Sequence, residues 1–551
     1  MFSRRLRALT AAGILGGLVA TSSYADADLT ASPRFDIREF QVEGNTLLPE
    51  SQIHSLVTPY VGVSRDFGDV QRAIAALQTA YQQLGYNSVQ VLLPEQEVVD
   101  GVVKINILQQ HIGNINVEGN QFYESDNILQ TAPALKSGEI PNMKVVQKSI
   151  AVANENPSKQ TVVLFKNNPD DPATIDATLK VVDDKPWKGF VTLDNSGSRE
   201  TGQGRLGFGY QNYNLFGRDH RLTLQYITNL HSPEEYFNPE HEVNVFGAAY
   251  TIPLYELGDS VDFIAGYSNV NTGTVAGGLI TVSGKGVILG AHYNHNFAKQ
   301  GNYDQRVVGG VEYHAYRSDI FIGGSGSGLT PHVTATPWSL TYIGKWQQEE
   351  EKFAFSVGGS WNVLSEAASH GDEAIYKGFP YLAEQDFSKY SFSVDAVHAF
   401  AKHWQLHLNL SGQFTDDHLI PGEQFRIGGM DSVRGWHESV ISGDKGYRWT
   451  AEIITPDFGN QLGDKVGLRA LAFIDGGYVD NNRGIDGTKA VDGSDKSIAS
   501  IGAGLRYSYS KNIVARFDYA YVIDGDINKN NPTGSRERGD AFGHIALGYI
   551  W

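Results

Sequence analysis

The stretch WQLHLNLSGQF, residues 404–414, alternates apolar and polar side chains along its whole length. One face carries Trp404, Leu406, Leu408, Leu410 and Phe414, and the other carries Gln405, His407, Asn409, Ser411 and Gln413. Side chains of a β-strand point alternately to opposite faces, so this period of two predicts a strand with one apolar and one polar face. The stretch IVARFDYAYV, residues 513–522, repeats the pattern with Arg516 and Asp518 on the polar face. Since most of residues 187–551 alternates in this way, we predict an all-β antiparallel region there.

Alternation alone does not separate a membrane barrel from a soluble sandwich, because an antiparallel sandwich also has one buried and one solvated face. Four features favour a transmembrane barrel: aromatic residues at strand ends, polar inward faces that include Arg516 and Asp518, a signal peptide, and a last strand, HIALGYIW, that ends at Trp551. Residues 187–551 allow about 23 residues for each strand and its connection in a barrel of about 16 strands. An even strand number is expected because both ends of the barrel lie on the periplasmic side. Residues 483–497 and 524–540 are predicted to be outer loops.

The first 25 residues have the parts of a signal peptide. Arg4, Arg5 and Arg7 precede an apolar run from about residue 8 to residue 20, which is followed by the small-x-small sequence Ser23-Tyr24-Ala25. We therefore predict that residues 1–25 are removed on export. No later run of 18 apolar residues exists, so crossing a membrane would require a closed β-barrel.

Residues 35–185 differ from the barrel region, because helical stretches stand between short strands. Residues 35–110 show the order β-α-α-β-β, with strands at 35–44, 88–94 and 101–109 and helices at 49–57 and 69–86. The order recurs in residues 111–185, with strands at 113–122, 160–168 and 174–184 and helices at 125–132 and 144–154. Both segments contain the sequence Val-Glu-Gly-Asn, which indicates two copies of one α+β module of about 75 residues. Two unrelated α+β domains would give the same order of elements.

Composition excludes several classes of function. The 551 residues include no cysteine, which rules out disulfides, thiolate catalysis and cysteine-based zinc sites. The net charge of −18 argues against a nucleic-acid partner. The segment GGSGSG (323–328) does not match the G-x-S-x-G register of a hydrolase, and the two histidines of HYNH (292–295) fall on opposite faces of a strand. We therefore predict no catalytic residues, no metal, no cofactor and no enzyme activity.

One loop segment, GGMDSVRGWHES (428–439), is too long and too rich in glycine for an ordinary hairpin turn. Together with VEGNTLLPES (42–51), LPEQEVVDGVVKINIL (93–108), VTLDNSGSRETG (191–202) and FIDGG (473–477), it gives the chain a resemblance to a known family. The chain resembles the two-partner secretion translocators, the TpsB proteins of the ShlB/FhaC/HecB haemolysin activation/secretion type, within the superfamily of BamA. These proteins carry polypeptide-transport-associated (POTRA) modules before a barrel.

The resemblance implies a site inside the barrel. In this superfamily the sixth outer loop folds back into the lumen, and the arginine of its VRG[YFW] tip meets the aspartate of an F-x-D-x-G motif on the barrel wall. The loop would lie near residues 417–446. The implied tip is Val433, Arg434, Gly435 and Trp436, and the implied wall partners are Phe473, Asp475 and Gly477. On a strand, the three wall residues share one face, so the Asp475 carboxylate can face the lumen.

The resemblance also implies a function in type V protein secretion. The chain is expected in the outer membrane, with two POTRA modules in the periplasm that capture a large, unfolded, TpsA-type partner for export. Its other expected contacts are outer-membrane lipid and the assembly machinery, which would recognise the C-terminal barrel signal at Trp551. The alternatives are an outer-membrane assembly insertase and a passive porin or receptor. The linker at residues 26–34 is too short to form the plug helix that many family members place there, so the in-folded loop is expected to be the main obstruction.

Overall fold

The structure is a computed structural model that describes residues 34–197, 202–230, 243–270, 274–275, 280–281, 286–316, 333–362, 376–377, 383–482, 495–525 and 537–551. The predicted signal peptide, residues 26–33 of the linker and most of the two predicted outer loops lie outside these ranges.

The first module has the predicted elements and one strand that was not predicted, β3, between its two helices. Its elements are β1 (Phe35–Ile37), β2 (Glu39–Glu43), α1 (Glu50–Val57), a 3-10 turn (Thr58–Tyr60), β3 (Gly62–Arg65), α2 (Phe67–Leu84), β4 (Val89–Leu92) and β5 (Val102–Gln109). The central strand β5 has β2 on one side, in parallel register, and β4 on the other. The single strand predicted at 35–44 is instead two strands, because Phe35–Ile37 pairs with β3 whereas Glu39–Glu43 pairs with β5.

The second module repeats this arrangement. Its elements are β6 (His111–Glu118), α3 (Ser125–Gln130), α4 (Met143–Ala153), β7 (Lys159–Asn167) and β8 (Thr174–Asp183). The central strand β8 is parallel to β6 and antiparallel to β7. Buried side chains from the helices, among them Ile128 and Val146, pack on the inner face of this sheet against Ala177 and Leu179.

The shared sequence Val-Glu-Gly-Asn has the same conformation in both modules. Gly44 and Gly119 have φ values of 82° and 90°. A side chain on either glycine would approach a carbonyl oxygen of the central strand to 2.4 Å. The next residue, Asn45 or Asn120, donates its side-chain amide to the carbonyl three residues further on, at 2.7 Å in each case. Only glycine fits the backbone at this position, which explains why the repeat keeps it.

The strands that follow the modules build the barrel and two short hairpins. They are β9 (Trp187–Asp194), β10 (Arg205–Leu215), β11 (His220–Asn229), β12 (Val245–Leu254), β13 (Asp259–Ser268), β14 (Thr274–Val275), β15 (Ile280–Thr281), β16 (Gly286–Asn296), β17 (Tyr303–Tyr316), β18 (Val333–Ala335), β19 (Trp338–Gln347), β20 (Glu351–Asn362), β21 (Phe387–Phe400), β22 (Trp404–Phe414), β23 (Phe425–Ile427), β24 (Ile441–Gly443), β25 (Lys445–Ile454), β26 (Val466–Asp480), β27 (Lys496–Tyr509), β28 (Ile513–Asp524) and β29 (Ala541–Ile550). A 3-10 turn (Gly459–Gln461) stands between β25 and β26.

Within the described ranges, sixteen antiparallel strands close into one barrel, which confirms the predicted architecture and strand number. The short strands β14, β15, β23 and β24 are not part of the barrel sheet but form two separate hairpins. Strands β18 and β19 count as one wall strand because both pair with β17. The apolar face predicted from residues 404–414 points outward, where Leu406, Leu408 and Leu410 are exposed. No helix among the described residues is long and apolar enough to cross a bilayer.

The barrel closes between its first and last strands. Residues 190–194 of β9 pair with residues 546–550 of β29, and the backbones of Gly189 and Trp551 exchange hydrogen bonds of 3.3 and 3.0 Å just beyond them. A side chain at position 189 would approach the indole of Trp551 to 2.3 Å. Trp551 therefore lengthens the pairing between the first and last strands, and its indole packs over Gly189, where no side chain is in the way.

Candidate functional site

The loop between β22 and β25 folds back into the lumen of the barrel. The two ends of the loop are joined, because the Asp444 carboxylate accepts hydrogen bonds from His418 Nδ1 at 2.7 Å and from the backbone N–H of Leu419 at 3.0 Å. The hairpin of β23 and β24 then carries the chain inward, a feature that the sequence did not predict. Beyond the hairpin, Gly428 and Gly429 both have a φ of 110° and start the tip of the loop.

Arg434 at this tip meets Asp475 on the barrel wall. Its Nε donates to Asp475 Oδ2 at 2.7 Å and its Nη2 to Oδ1 at 2.8 Å, while its backbone N–H donates to Oδ2 at 3.1 Å. Arg434 is 2% exposed and Asp475 is fully buried. The guanidinium also lies 3.4 Å from the centre of the Phe473 ring. This two-point contact over an aromatic face is a geometry that lysine cannot reproduce.

The other predicted tip residues pack against the wall beside this ion pair. Gly435 has a φ of 91°, and its N–H donates to His544 Nε2 at 2.9 Å. Trp436 is fully buried in a cluster that includes Val433, Ile498 and Val522. The large indole therefore fixes the tip by apolar packing, at a bend that glycine permits.

The small residue predicted on the wall makes room for the loop. A side chain at Gly477 would approach the Cδ1 atom of Ile427, in the inner hairpin, to 2.7 Å. The structure thus brings all seven predicted residues of the loop tip and the wall into one region.

A second carboxylate, which the sequence did not predict, lies beside the ion pair. Glu452 on β25 accepts a hydrogen bond from Arg434 Nη1 at 2.7 Å and lies 3.0 Å from His407 Nδ1. His407 Nε2 in turn lies 2.8 Å from Asp395 Oδ2. Carboxylates only accept hydrogen bonds, so both ring nitrogens of His407 carry a proton in this arrangement. The pattern of alternation placed His407 on the inward face, but nothing in the sequence showed that the loop reaches it.

A group of charges on β27 and β28 holds the tip from another side. Arg516 donates to Asp431 Oδ1 and to the carbonyl of Met430, each at 2.5 Å. Its Nε donates to Asp518 at 2.6 Å, and Arg506 donates to the same carboxylate at 2.7 Å. The sequence predicted that Arg516 and Asp518 face inward, but it did not predict their contact with the loop.

The second module joins the barrel through a buried ion pair. Lys159, at the start of β7, binds Asp219 in the turn between β10 and β11, and neither side chain is more than 1% exposed. The hydroxyl of Tyr255, in the turn between β12 and β13, donates to the same carboxylate at 2.6 Å. Lys159 also lies over the ring of Tyr123, and burial raises the pKa of Tyr123 to about 12. This junction was not predicted from the sequence.

No group of three or more histidine, aspartate or glutamate side chains is placed to hold a metal ion in the part of the chain that the structure describes. The two histidines of HYNH have separate partners, since His292 binds Glu312 at 2.8 Å and His295 binds Asp259 at 3.0 Å. The two histidines stand three residues apart on β16, on opposite faces of the strand, and each binds a different carboxylate.

Comparisons with known proteins identify the family and the fold of this chain. A family model described as haemolysin secretion/activation protein ShlB/FhaC/HecB matches residues 174–507, and a model of the ShlB-type POTRA domain matches residues 35–109. The outer membrane transporter CdiB of Escherichia coli O6:K15:H31 is 24% identical over 481 residues, which cover 85% of this chain and 76% of the transporter. The heme/hemopexin transporter protein HuxB of Haemophilus influenzae Rd is 20% identical over 544 residues, which cover 94% and 88%.

Solved structures show the same fold. The structure of CdiB from Escherichia coli has a TM-score of 0.71 at 19% identity, with 96% of this chain and 92% of that chain covered. The structure of CdiB from Acinetobacter baumannii has a TM-score of 0.66 at 16% identity, with 95% and 91% covered.

Proposed function

This chain belongs to the haemolysin secretion/activation protein family of ShlB, FhaC and HecB, and on that premise we propose that its in-folded loop, residues 417–446, is the gate of a protein-export channel. The chain is an outer-membrane transporter of two-partner secretion, with POTRA modules in the periplasm, and it exports a partner protein. The observation that carries the gate proposal is the buried contact between Arg434 and Asp475, which holds the tip of the loop against the barrel wall.

The strength of this contact suits a gate. A buried hydrogen bond to a charged group contributes about 1.5–3 kcal/mol, which orders the loop but can be offset by contacts with a passing chain. Arg434 has a second carboxylate at Glu452 and lies 3.8 Å from a third at Asp518. The guanidinium therefore has alternative partners on the lumen wall, which lowers the cost of leaving Asp475 during transport.

The periplasmic modules act before the gate. We propose that residues 35–110 and 111–185 are the two POTRA modules, that residues 1–25 are the signal peptide and 26–34 a linker, and that the barrel spans 187–551. Each module has a three-stranded sheet with two edge strands, to which an extended segment of the partner can add its backbone. The periplasm supplies no nucleotide and the chain has no Walker motif, so folding of the partner outside the cell would drive transport.

The remaining contacts follow from the barrel surface and its charge. Exposed leucine, phenylalanine and tyrosine side chains on the outward faces of the strands suit outer-membrane lipid. Trp551 at the closing seam is the proposed signal for the assembly machinery. We propose no catalytic activity and no cofactor. We also propose no nucleic-acid partner, because the net charge of the chain is −18.

The test of the function is secretion of the partner candidate, the large protein expected from the neighbouring reading frame. Cells that carry both proteins should release the partner into the medium, and cells without this chain should retain it, as measured by immunoblot. The level of other outer-membrane proteins serves as the control. A general loss of those proteins would point to an assembly insertase, and unchanged release of the partner would point to a porin or receptor.

A further inference from the structure

The in-folded loop is attached to the barrel at its base as well as at its tip. Eleven residues before Arg434, the side chain of Glu423 is buried at the point where the loop enters the lumen. Its Oε1 accepts a hydrogen bond from Tyr316 at 2.8 Å and lies 2.6 Å from His314 Nδ1, while its Oε2 accepts one from Lys389 Nζ at 2.6 Å. Three wall side chains thus converge on one loop carboxylate.

On the barrel wall, His314 is held in turn by a second carboxylate. His314 Nε2 lies 2.6 Å from Glu312 Oε2, and the other oxygen of Glu312 lies 2.8 Å from His292. Since His314 stands between two carboxylates that only accept hydrogen bonds, both of its ring nitrogens carry a proton. The cation of His314 and the ammonium of Lys389 together compensate the buried charge of Glu423, which would be unfavourable alone.

The backbone of the loop at Gly422 and Glu423 also contacts the barrel wall. Gln413, at the end of β22, donates to the carbonyl of Glu423 at 3.1 Å. The hydroxyl oxygen of Tyr316 lies 3.2 Å from the carbonyl oxygen of Gly422, and a side chain at that glycine would approach the Tyr316 ring to 2.2 Å. The base of the loop therefore lies directly on the wall.

The two attachments lie on different sides of the ring. In strand order, β17 and β21, which hold Glu423, are the seventh and tenth of the sixteen strands. The tip contacts β25 to β29, which are the twelfth to the sixteenth. Because β17 and β28 are eight positions apart in a ring of sixteen, the loop crosses the lumen between its two attachments.

We propose that Glu423 is a positioning residue that latches the base of the loop to β17 and β21, independently of Arg434. The channel then has two latches, and the passing partner has to displace both. This inference rests on the proposed role of the loop as the obstruction of the channel. It adds a site that the VRGW and FIDGG motifs do not contain.

The test is the ion conductance of the purified full-length protein in planar lipid bilayers. Glu423→Gln keeps the shape of the side chain but removes the charge that His314 and Lys389 bind. Because a hydrogen bond to a charged group changes an equilibrium by about tenfold or more, we expect the open-state fraction to rise about tenfold. Lys389→Gln should raise it as well, and the double variant should add little to either single change.

Two reference variants make the result interpretable. Asp259→Asn removes another buried carboxylate of the barrel that also has three partners, Tyr293, His295 and the backbone of Asn296, and does not contact the loop. This variant should keep the closed-state conductance. Arg434→Ala releases the tip and should raise the conductance. Low conductance in Glu423→Gln with high conductance in Arg434→Ala would overturn the second latch, and low conductance in both would overturn the gate itself.

A reversible cross-link shows whether conductance depends on the position of the loop base or on misfolding of the barrel. The chain has no cysteine, so Glu423→Cys with Lys389→Cys gives a single reactive pair. Joining the pair with a short bis-methanethiosulfonate reagent should restore low conductance, and a reductant should raise it again in the same channel. Conductance that changes with neither the cross-linker nor the reductant would contradict the latch. This test remains available even if Glu423→Gln fails to assemble into a heat-modifiable barrel.

Discussion

At the scale of single residues, Arg434 has more partners than the loop motif alone suggests. The motif pairs it with Asp475, but the structure adds Glu452, and Glu452 is held in turn by His407. A carboxylate with one fixed partner on the wall is better oriented to accept a hydrogen bond from the loop. His407 is therefore a support for the gate contact, although it does not touch the loop arginine itself.

This role predicts a graded effect of His407→Ala on secretion. The substitution removes from Glu452 one charged hydrogen bond, worth about 1.5–3 kcal/mol, and leaves the other. Only part of this loss reaches the contact between Glu452 and Arg434, so we expect a weaker contact and reduced secretion. The loss should be smaller than that of Arg434→Ala, and the double variant should resemble Arg434→Ala alone. His398→Ala, on the outward face of β21, is the matched control and should secrete normally. Additive losses in the double variant would show that His407 acts elsewhere.

At the scale of elements, the second module is fixed to the barrel by a small number of buried polar contacts. Lys159 and Asp219 form the centre of this junction. Nearby, the Ser149 hydroxyl of α4 donates to the carbonyl of Tyr255 at 2.6 Å, and the Asn156 amide donates to the carbonyl of Tyr213 at 2.8 Å. The turns of the barrel therefore act as a docking surface for the module, and β7 starts at that surface.

The buried pair predicts a non-additive pattern of stability. Lys159→Met leaves Asp219 buried without its cation, and breaking a buried pair in this way costs about 3–5 kcal/mol. Replacing both partners, as in Lys159→Met with Asp219→Asn, removes the unpaired charge and should recover most of that loss. The measurement is the rate of protease cleavage near residues 184–186, where a loosened module should be cut faster.

The more exposed pair of Arg221 and Glu155, at 3.2 Å, provides the control. Arg221→Ala should raise the cleavage rate less than Lys159→Met, because a partly exposed ion pair contributes less than a fully buried one. A double variant at Lys159 and Asp219 that is cut faster than either single variant would contradict the account of the junction.

At the scale of the whole molecule, the sequence predicted the architecture well and the site in part. Alternation in residues such as 404–414 is set by the backbone geometry of a strand, so the barrel and its inward and outward faces could be predicted. The VRGW and FIDGG sequences pointed to Arg434 and Asp475 through a resemblance. The partners Glu452, His407 and Glu423 could not be predicted, because they depend on where a long loop returns among sixteen strands. That path is fixed by tertiary packing, for example by Trp436 in its apolar cluster.

The central claim is that the contact between Arg434 and Asp475 controls export. The most direct test measures extracellular partner by immunoblot, normalised to heat-modifiable barrel in the outer membrane, for Arg434→Ala, Asp475→Ala and the double variant. We predict that each single variant secretes poorly from a folded barrel although it conducts ions more, because a loop without its wall contact no longer sets the conformation of the channel. The double variant should be little worse, because the two residues act as one unit. Arg469→Ala, on the same strand as Asp475 but with Gln405 as its partner at 3.3 Å, should secrete normally. Wild-type secretion from both single variants, at normal barrel levels, would contradict the claim.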